Sequence, residues 1–174
     1  MTWQSGLGGL SSTSIAQAEA CVVPQSTDIL LSSVTKIGHG TPVQWKGTLH
    51  SQITIASDQI TLPSGYWYYL EASVQGYFTG SDPSQAAFMQ YAWYDSTGTT
   101  QLGNIGRVGR QFTGQEASVI TADEKSIALI DATSSSVTVE LKLLSRSVFN
   151  YANYTTAQSI YSNLGRTLIM QLYP

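Results

Sequence analysis

Ile60-Thr61-Leu62-Pro63-Ser64-Gly65-Tyr66-Trp67-Tyr68-Tyr69-Leu70-Glu71-Ala72-Ser73-Val74-Gln75 runs a Pro/Gly turn into a long alternating strand with aromatic rings on both faces. Successive side chains of a strand point to opposite sides, so Tyr66, Tyr68, Leu70, Ala72 and Val74 share one face. Trp67, Tyr69, Glu71, Ser73 and Gln75 share the other. The first face fills a domain core. The second sets two large rings beside a carboxylate and polar groups, the make-up of a surface that meets another subunit rather than lipid or open water. Two such faces need two partners, which makes assembly, more than catalysis, the question this stretch raises.

Outward from it, turn signals recur about every ten residues from Val43 onward, the spacing of a sandwich or barrel of short strands. Strands are expected near 43–46, 48–56, 59–62, 66–76, 87–95, 101–108, 117–121, 126–131, 136–144 and 166–173. Asp95-Ser96-Thr97-Gly98 and Asp131 to Ser136 supply turn chemistry between them. In Val137 to Leu143 the valines and leucines take one face while Thr138, Glu140 and Lys142 take the other. In the last strand Leu168, Met170 and Leu172 alternate with Thr167, Ile169, Gln171 and Tyr173. Residues 1–45 differ: they open Gly/Ser-rich, predict a short capped helix over 11–20 and a short strand at 29–31, and read as loop over 36–42. The chain thus divides into an N-terminal arm, 1–45, and an all-β domain, 46–174.

Composition narrows the function. At 174 residues there is room for one ordinary domain with a core of its own. Charged residues make up only 11%, against roughly 25% in a typical soluble protein, while Ser and Thr supply roughly a quarter of the chain. A surface so poor in charge belongs on a larger particle or under partners. Net charge −3 with eight Lys plus Arg argues against nucleic acid, whose phosphates call for a basic patch; Arg107 and Arg110 do not make one. No stretch is apolar for long enough to span a bilayer, and the N-terminus lacks the basic and apolar regions of a signal peptide, so synthesis in a cytoplasm without classical export is expected. Cys21 is the only cysteine, which rules out an internal disulfide or a thiolate metal cage and reads as a small buried residue.

Catalytic chemistry finds little to work with. His39, in a Gly-flanked loop, and His50, in an expected strand, are the only histidines, and neither sits in a triad or metal motif. Asp123-Glu124 is an adjacent acidic pair but reads as a solvated turn rather than the two carboxylates of a glycosidase. Gly103-Asn104-Ile105-Gly106-Arg107-Val108-Gly109-Arg110 is only superficially a phosphate loop: the spacing is not G-x-G-x-x-G and no helix follows. No enzyme activity, metal or cofactor is expected.

Leu62-Pro63-Ser64-Gly65-Tyr66-Trp67-Tyr68-Tyr69-Leu70-Glu71-Ala72-Ser73-Val74 resembles the third-strand signature of the C1q/TNF-like jelly rolls, and Arg166 to Tyr173 resembles their closing strand. Together with Thr133 to Leu141 the phrasing is most similar to versions in bacteriophage head-decoration, head-fibre and tail-fibre tip domains. The resemblance covers roughly 45–174 and implies an antiparallel jelly-roll sandwich that assembles as a homotrimer, with the sheet holding these two strands turned to the threefold axis. It implies a trimer interface of Trp67, Tyr69, Glu71, Glu140, Lys142, Ile169 and Tyr173. The arm, with its sparse anchors Trp3, Leu7, Leu10 and Ile15, is expected to attach to a major capsid protein. The expected role is a virion decoration or cement protein that stabilises the capsid lattice; the alternative is a receptor- or glycan-binding tip of a tail fibre, with Trp67 and Tyr69 as a sugar platform.

Overall fold

The structure, a computed structural model, describes residues 17–21, 35–39, 43–74, 76–80, 86–111, 116–120, 124–148, 159–160 and 166–172. The elements are β1 Gln17–Cys21, β2 Thr35–Ile37, β3 Val43–Lys46, α1 Leu49–Gln52, β4 Thr54–Ala56, β5 Gln59–Leu62, β6 Tyr66–Ser73, β7 Gly76–Gly80, β8 Ala86–Asp95, β9 Gly106–Gln111, β10 Glu116–Ile120, β11 Ser126–Ala132, β12 Val137–Val148, β13 Ser159–Ile160 and β14 Arg166–Leu172. All strand pairings are antiparallel.

One sheet has the order β11-β6-β14-β1-β3. The second runs β4-β5-β12-β8-β9, with β2 pairing β12 beyond β5 on residues 141–143. A small third sheet, β10-β7-β13, is made inside the connections that follow β6, β9 and β12. The chain changes main sheet between β1 and β2, β2 and β3, β3 and β4, β5 and β6, β6 and β8, β9 and β11, β11 and β12, and β12 and β14, so neighbours within a sheet are rarely neighbours in sequence. The all-β, antiparallel expectation therefore holds.

The period-2 pattern of the strands builds the core. β6 turns Tyr68, Leu70 and Ala72 inward, and β11 alternates buried and exposed throughout, with Ala128, Ile130 and Ala132 inside. These pack with Ile169 against Ile60, Leu62, Met89, Tyr91, Trp93, Val108, Val139, Leu141 and Leu143 of the second sheet in one cluster. Gly65, at φ 97, turns the chain into β6 in a conformation that strongly favours glycine, and Tyr68 ties the turn down by donating its hydroxyl to the Pro63 carbonyl at 2.9 Å.

Several expectations change. Gln17–Cys21, overlapping the end of the expected 11–20 helix, is a strand, because β14 and β3 offer backbone partners on both sides while a ten-residue helix has little stability of its own. Thr35–Ile37, its last two residues expected to open a loop, pairs with β12. The expected strand 48–56 is broken by the helical turn α1, whose Leu49 plugs into the core, so His50 is helical rather than extended. Residues 101–105 are loop, with β9 starting at Gly106. The 66–76 strand ends at Ser73, and β7 belongs to the small sheet. The described part of 1–45 supplies strands to both main sheets, and position 45 falls inside β3. The 29–31 strand lies outside the described residues.

Candidate functional site

The outer face of the first sheet is the part of the molecule whose chemistry asks for a partner. Register places side chains there in three rows: Asp131, Trp67 and Leu172; Leu129, Tyr69 and Met170; Ile127, Glu71 and Leu168. Leu129 is 57% exposed and Ile127 38%, two of the three large hydrophobics that stand open among the described residues. Trp67, Tyr69, Leu168, Met170 and Leu172 are half-buried. A sheet with one solvated side ordinarily reads apolar inside and polar outside. Here β11 carries Ile127 and Leu129 outward and Ala128 and Ile130 inward, so both sides are apolar.

The two carboxylates of this face are held within the chain, Glu71 by an ion pair and Asp131 by neutral hydrogen-bond donors. Glu71 accepts a hydrogen bond from the Tyr69 hydroxyl at 2.9 Å and an ion pair from Lys125. Partial burial pushes its carboxyl up, but the Lys125 and Tyr69 hydrogen bonds together outweigh that and hold it below the usual value. Burial, reinforced by the adjacent Glu71, raises the Tyr69 phenol. Asp131 accepts from the Thr133 backbone N–H at 2.9 Å and from its hydroxyl at 2.6 Å, which lower its carboxyl.

Of the residues expected at a trimer interface, Trp67, Tyr69 and Glu71 stand together on this face. Ile169 does not: it is fully buried between the sheets, because the register sets Met170, not Ile169, beside Tyr69. Glu140 and Lys142 do not either, since β12 belongs to the second sheet and they point from its opposite side. Tyr173 and the anchors Trp3, Leu7, Leu10 and Ile15 lie outside the described residues. The residues missed were Ile127, Leu129, Leu168, Met170 and Leu172. The alternation of Ser126-Ile127-Ala128-Leu129-Ile130, apolar at both parities, was the available signal.

Glu140 has a different role. Only 2% exposed, it accepts from Lys36 at 3.0 Å and from the Gln59 amide at 2.8 Å, with Lys142 at 4.0 Å. The turn after β8 folds over it: Lys142 donates to the Gly98 carbonyl at 2.6 Å, Gln59 to the Ser96 carbonyl at 2.8 Å, and a Cβ on Gly98 would meet Glu140 Oε1 at 2.6 Å. Lys142 also sits over the Tyr94 ring and Arg107 over Phe88, each at 5.0 Å. This outer face satisfies its own polar groups.

The catalytic candidates resolve into structure. His39 is buried, stacked on Trp93 at 5.9 Å, with Nε2 2.9 Å from the Thr167 hydroxyl, and burial lowers its pKa to about 4. No His, Cys, Asp or Glu cluster fit for a metal occurs among the described residues. Among the described residues no helix is long and apolar enough to cross a membrane. Gly103 and Gly106 are close-approach glycines, not a phosphate cradle: a Cβ on Gly103 would lie 2.0 Å from the Ile127 carbonyl, and one on Gly106 2.6 Å from the Tyr91 ring. Asp123 lies outside the described residues, and Glu124 exchanges backbone hydrogen bonds with Arg107 at 2.9 Å. Compared with known proteins, the sequence matches no family model and no curated protein.

Proposed function

We propose that this chain is a non-enzymatic structural protein of a bacteriophage virion, a jelly roll that self-associates as a trimer and decorates the capsid. The observation that carries the self-association is the apolar outer face of the first sheet, with Leu129 57% exposed beside Tyr69 and Trp67. Left in water such a face costs free energy at roughly 25 cal/mol per Å² of apolar area, and a matching surface recovers it. The jelly-roll reading is supported by the strand order, in which the chain crosses repeatedly between two sheets and the closing strand β14 lies beside β6. The trimeric reading is supported by the coincidence of that apolar face with the β6/β14 sheet, the one the resemblance turns toward a threefold axis.

Attachment to a capsid rests on the resemblance and on the low charge content, 11%. Three copies of one weak contact would hold the decoration far more firmly than one. Tyr69 sits between Leu129 and Met170, and Trp67 between Asp131 and Leu172, a mostly apolar setting that favours a protein contact over a sugar platform. Sedimentation of the purified chain tests the first part and co-sedimentation with purified phage capsid shells the second. A trimer that pellets with shells is expected; a monomer, or a trimer that stays in solution with shells, sinks the corresponding half.

A further inference from the structure

We propose that the segment 101–107, a loop running into the start of β9, closes the outer edge of β11 against strand addition, so that a second copy of this chain meets it through the sheet face alone and the assembly closes instead of growing. This rests on the self-association proposed above and adds its mode. β11 is the terminal strand of the first sheet, and a terminal strand with exposed apolar side chains is a template for pairing with other chains.

Here the first part of the template, over residues 124–128, is occupied by the chain itself. Asn104 donates its backbone N–H to the Ile127 carbonyl at 3.1 Å and accepts the Ile127 N–H on its side-chain Oδ1 at 2.6 Å. Its Nδ2 donates to the Lys125 carbonyl at 2.8 Å, and its own carbonyl takes the Ser126 hydroxyl at 2.8 Å. Arg107 and Glu124 exchange both backbone bonds, and Gly103 bridges Ala128 at a distance only glycine allows. A side-chain amide has the donor and acceptor of a peptide group without a chain to continue, so Asn104 ends the sheet where a strand would extend it. Because Arg107 belongs to β9, the same contacts stitch the first sheet to the second along this side.

The occupant of the face is a second copy of this chain. Glu71 is already bound by Tyr69 and Lys125, and Asp131, held by the neutral donors of Thr133, stands in the end row with Trp67, so the apolar rows around Leu129 ask for no charge from the partner. A surface equally apolar, with Glu71 already paired, fits it, and this chain carries one.

Asn104→Ala tests the edge. The Ile127 amide is expected to exchange with solvent at least ~10-fold faster, while Ala128 and Ile130 keep their protection, and species heavier than the wild-type oligomer appear by light scattering. Adding Leu129→Asp separates the two routes: heavy species that persist in the double variant grow through the edge, whereas Leu129→Asp alone dissociates the face. Unchanged exchange at Ile127, an unchanged size distribution, or heavy species that vanish in the double variant would each overturn the proposal. Asn104→Asp keeps the acceptor for Ile127 and loses the Nδ2 donor to the Lys125 and Ile105 carbonyls; it gives the same changes to a smaller extent and carries the test if Asn104→Ala does not fold. A monomeric wild type would sink the face reading, while Asn104→Ala would still decide the edge.

Discussion

The two main sheets present outer faces of opposite character. On the second, polar groups are paired within the chain: Glu140 with Lys36 and Gln59, Lys142 with Gly98 and Tyr94, Thr61 with Thr138 at 2.9 Å, Ser145 with Gln90 at 2.7 Å, and Arg107 over Phe88. On the first, Ile127, Leu129, Trp67, Tyr69, Leu168, Met170 and Leu172 surround two carboxylates, Glu71 paired with Lys125 and Asp131 held by Thr133. The second is a finished surface. The first is chemically unfinished, and a face of that kind is where a soluble β-protein meets its partner.

Breaking the finished face should cost folding and leave assembly alone. Glu140→Ala removes the buried carboxylate shared by Lys36, Gln59 and Lys142. Because Lys36 is 40% exposed and can hydrate, the loss belongs at the lower end for buried pairs, about 3 kcal/mol. Urea denaturation reads it, and a loss below ~1 kcal/mol, or a change in oligomer mass, would contradict the division between the faces.

The core between the faces has its own acid weakness. Burial lowers His39 from 6.5 to about 4, so it is neutral in the fold while the unfolded chain takes up a proton below pH 6.5. Its contribution is fully present above 6.5, drains away as pH falls to about 4 and then levels off. The 2.5-unit difference, at 1.36 kcal/mol per unit, sets a ceiling of about 3 kcal/mol. His39→Gln should flatten urea midpoints between pH 6.5 and 4; an equally steep profile in the variant would remove His39 as the cause.

On the unfinished face, Leu129→Asp is expected to weaken self-association by at least ~30-fold, about 2 kcal/mol, with the folding midpoint nearly unchanged because the side chain is 57% exposed. Analytical ultracentrifugation across a dilution series measures it, and an unaltered dissociation constant would mean that the face is not the interface. The smallest effect concerns the β4–β5 hairpin at an edge of the finished sheet. Ser57 and Asp58 hold φ 52 and 60, the left-handed pair of a tight hairpin turn that favours Asn-Gly. Ser57→Asn with Asp58→Gly should stabilise by about 1 kcal/mol, seen as a higher melting temperature and no change in association. A lower melting temperature would show that those side chains serve another purpose.

Much of this was legible in the residues. The alternation in 66–74 marks both faces of β6 because side-chain period in a strand is fixed by backbone geometry, and most strands from 43 on follow the same rule. What misled was parity. Thr167, Ile169 and Gln171 look like an outer face by polarity, yet they are buried, since Thr167 finds His39 and Ile169 finds the core, while Leu168, Met170 and Leu172 face outward. A strand apolar at both parities leaves its orientation to its neighbours. Asn104 and Gly103 read as an ordinary Gly-rich loop, because their partners, Lys125 and Ile127, are more than twenty residues away.

By itself the sequence determined an all-β chain, a doubly apolar strand over 66–74, and the lack of a recognisable catalytic or metal motif, because period, turn chemistry and composition are local properties. Only the tertiary structure decided which sheet each strand joins, that Glu140 and Lys142 lie across the molecule from Trp67, and that Asn104 seals the β11 edge. Those depend on which strands meet, and pairing between residues far apart in the chain is set by the packing of the whole fold rather than by any one segment.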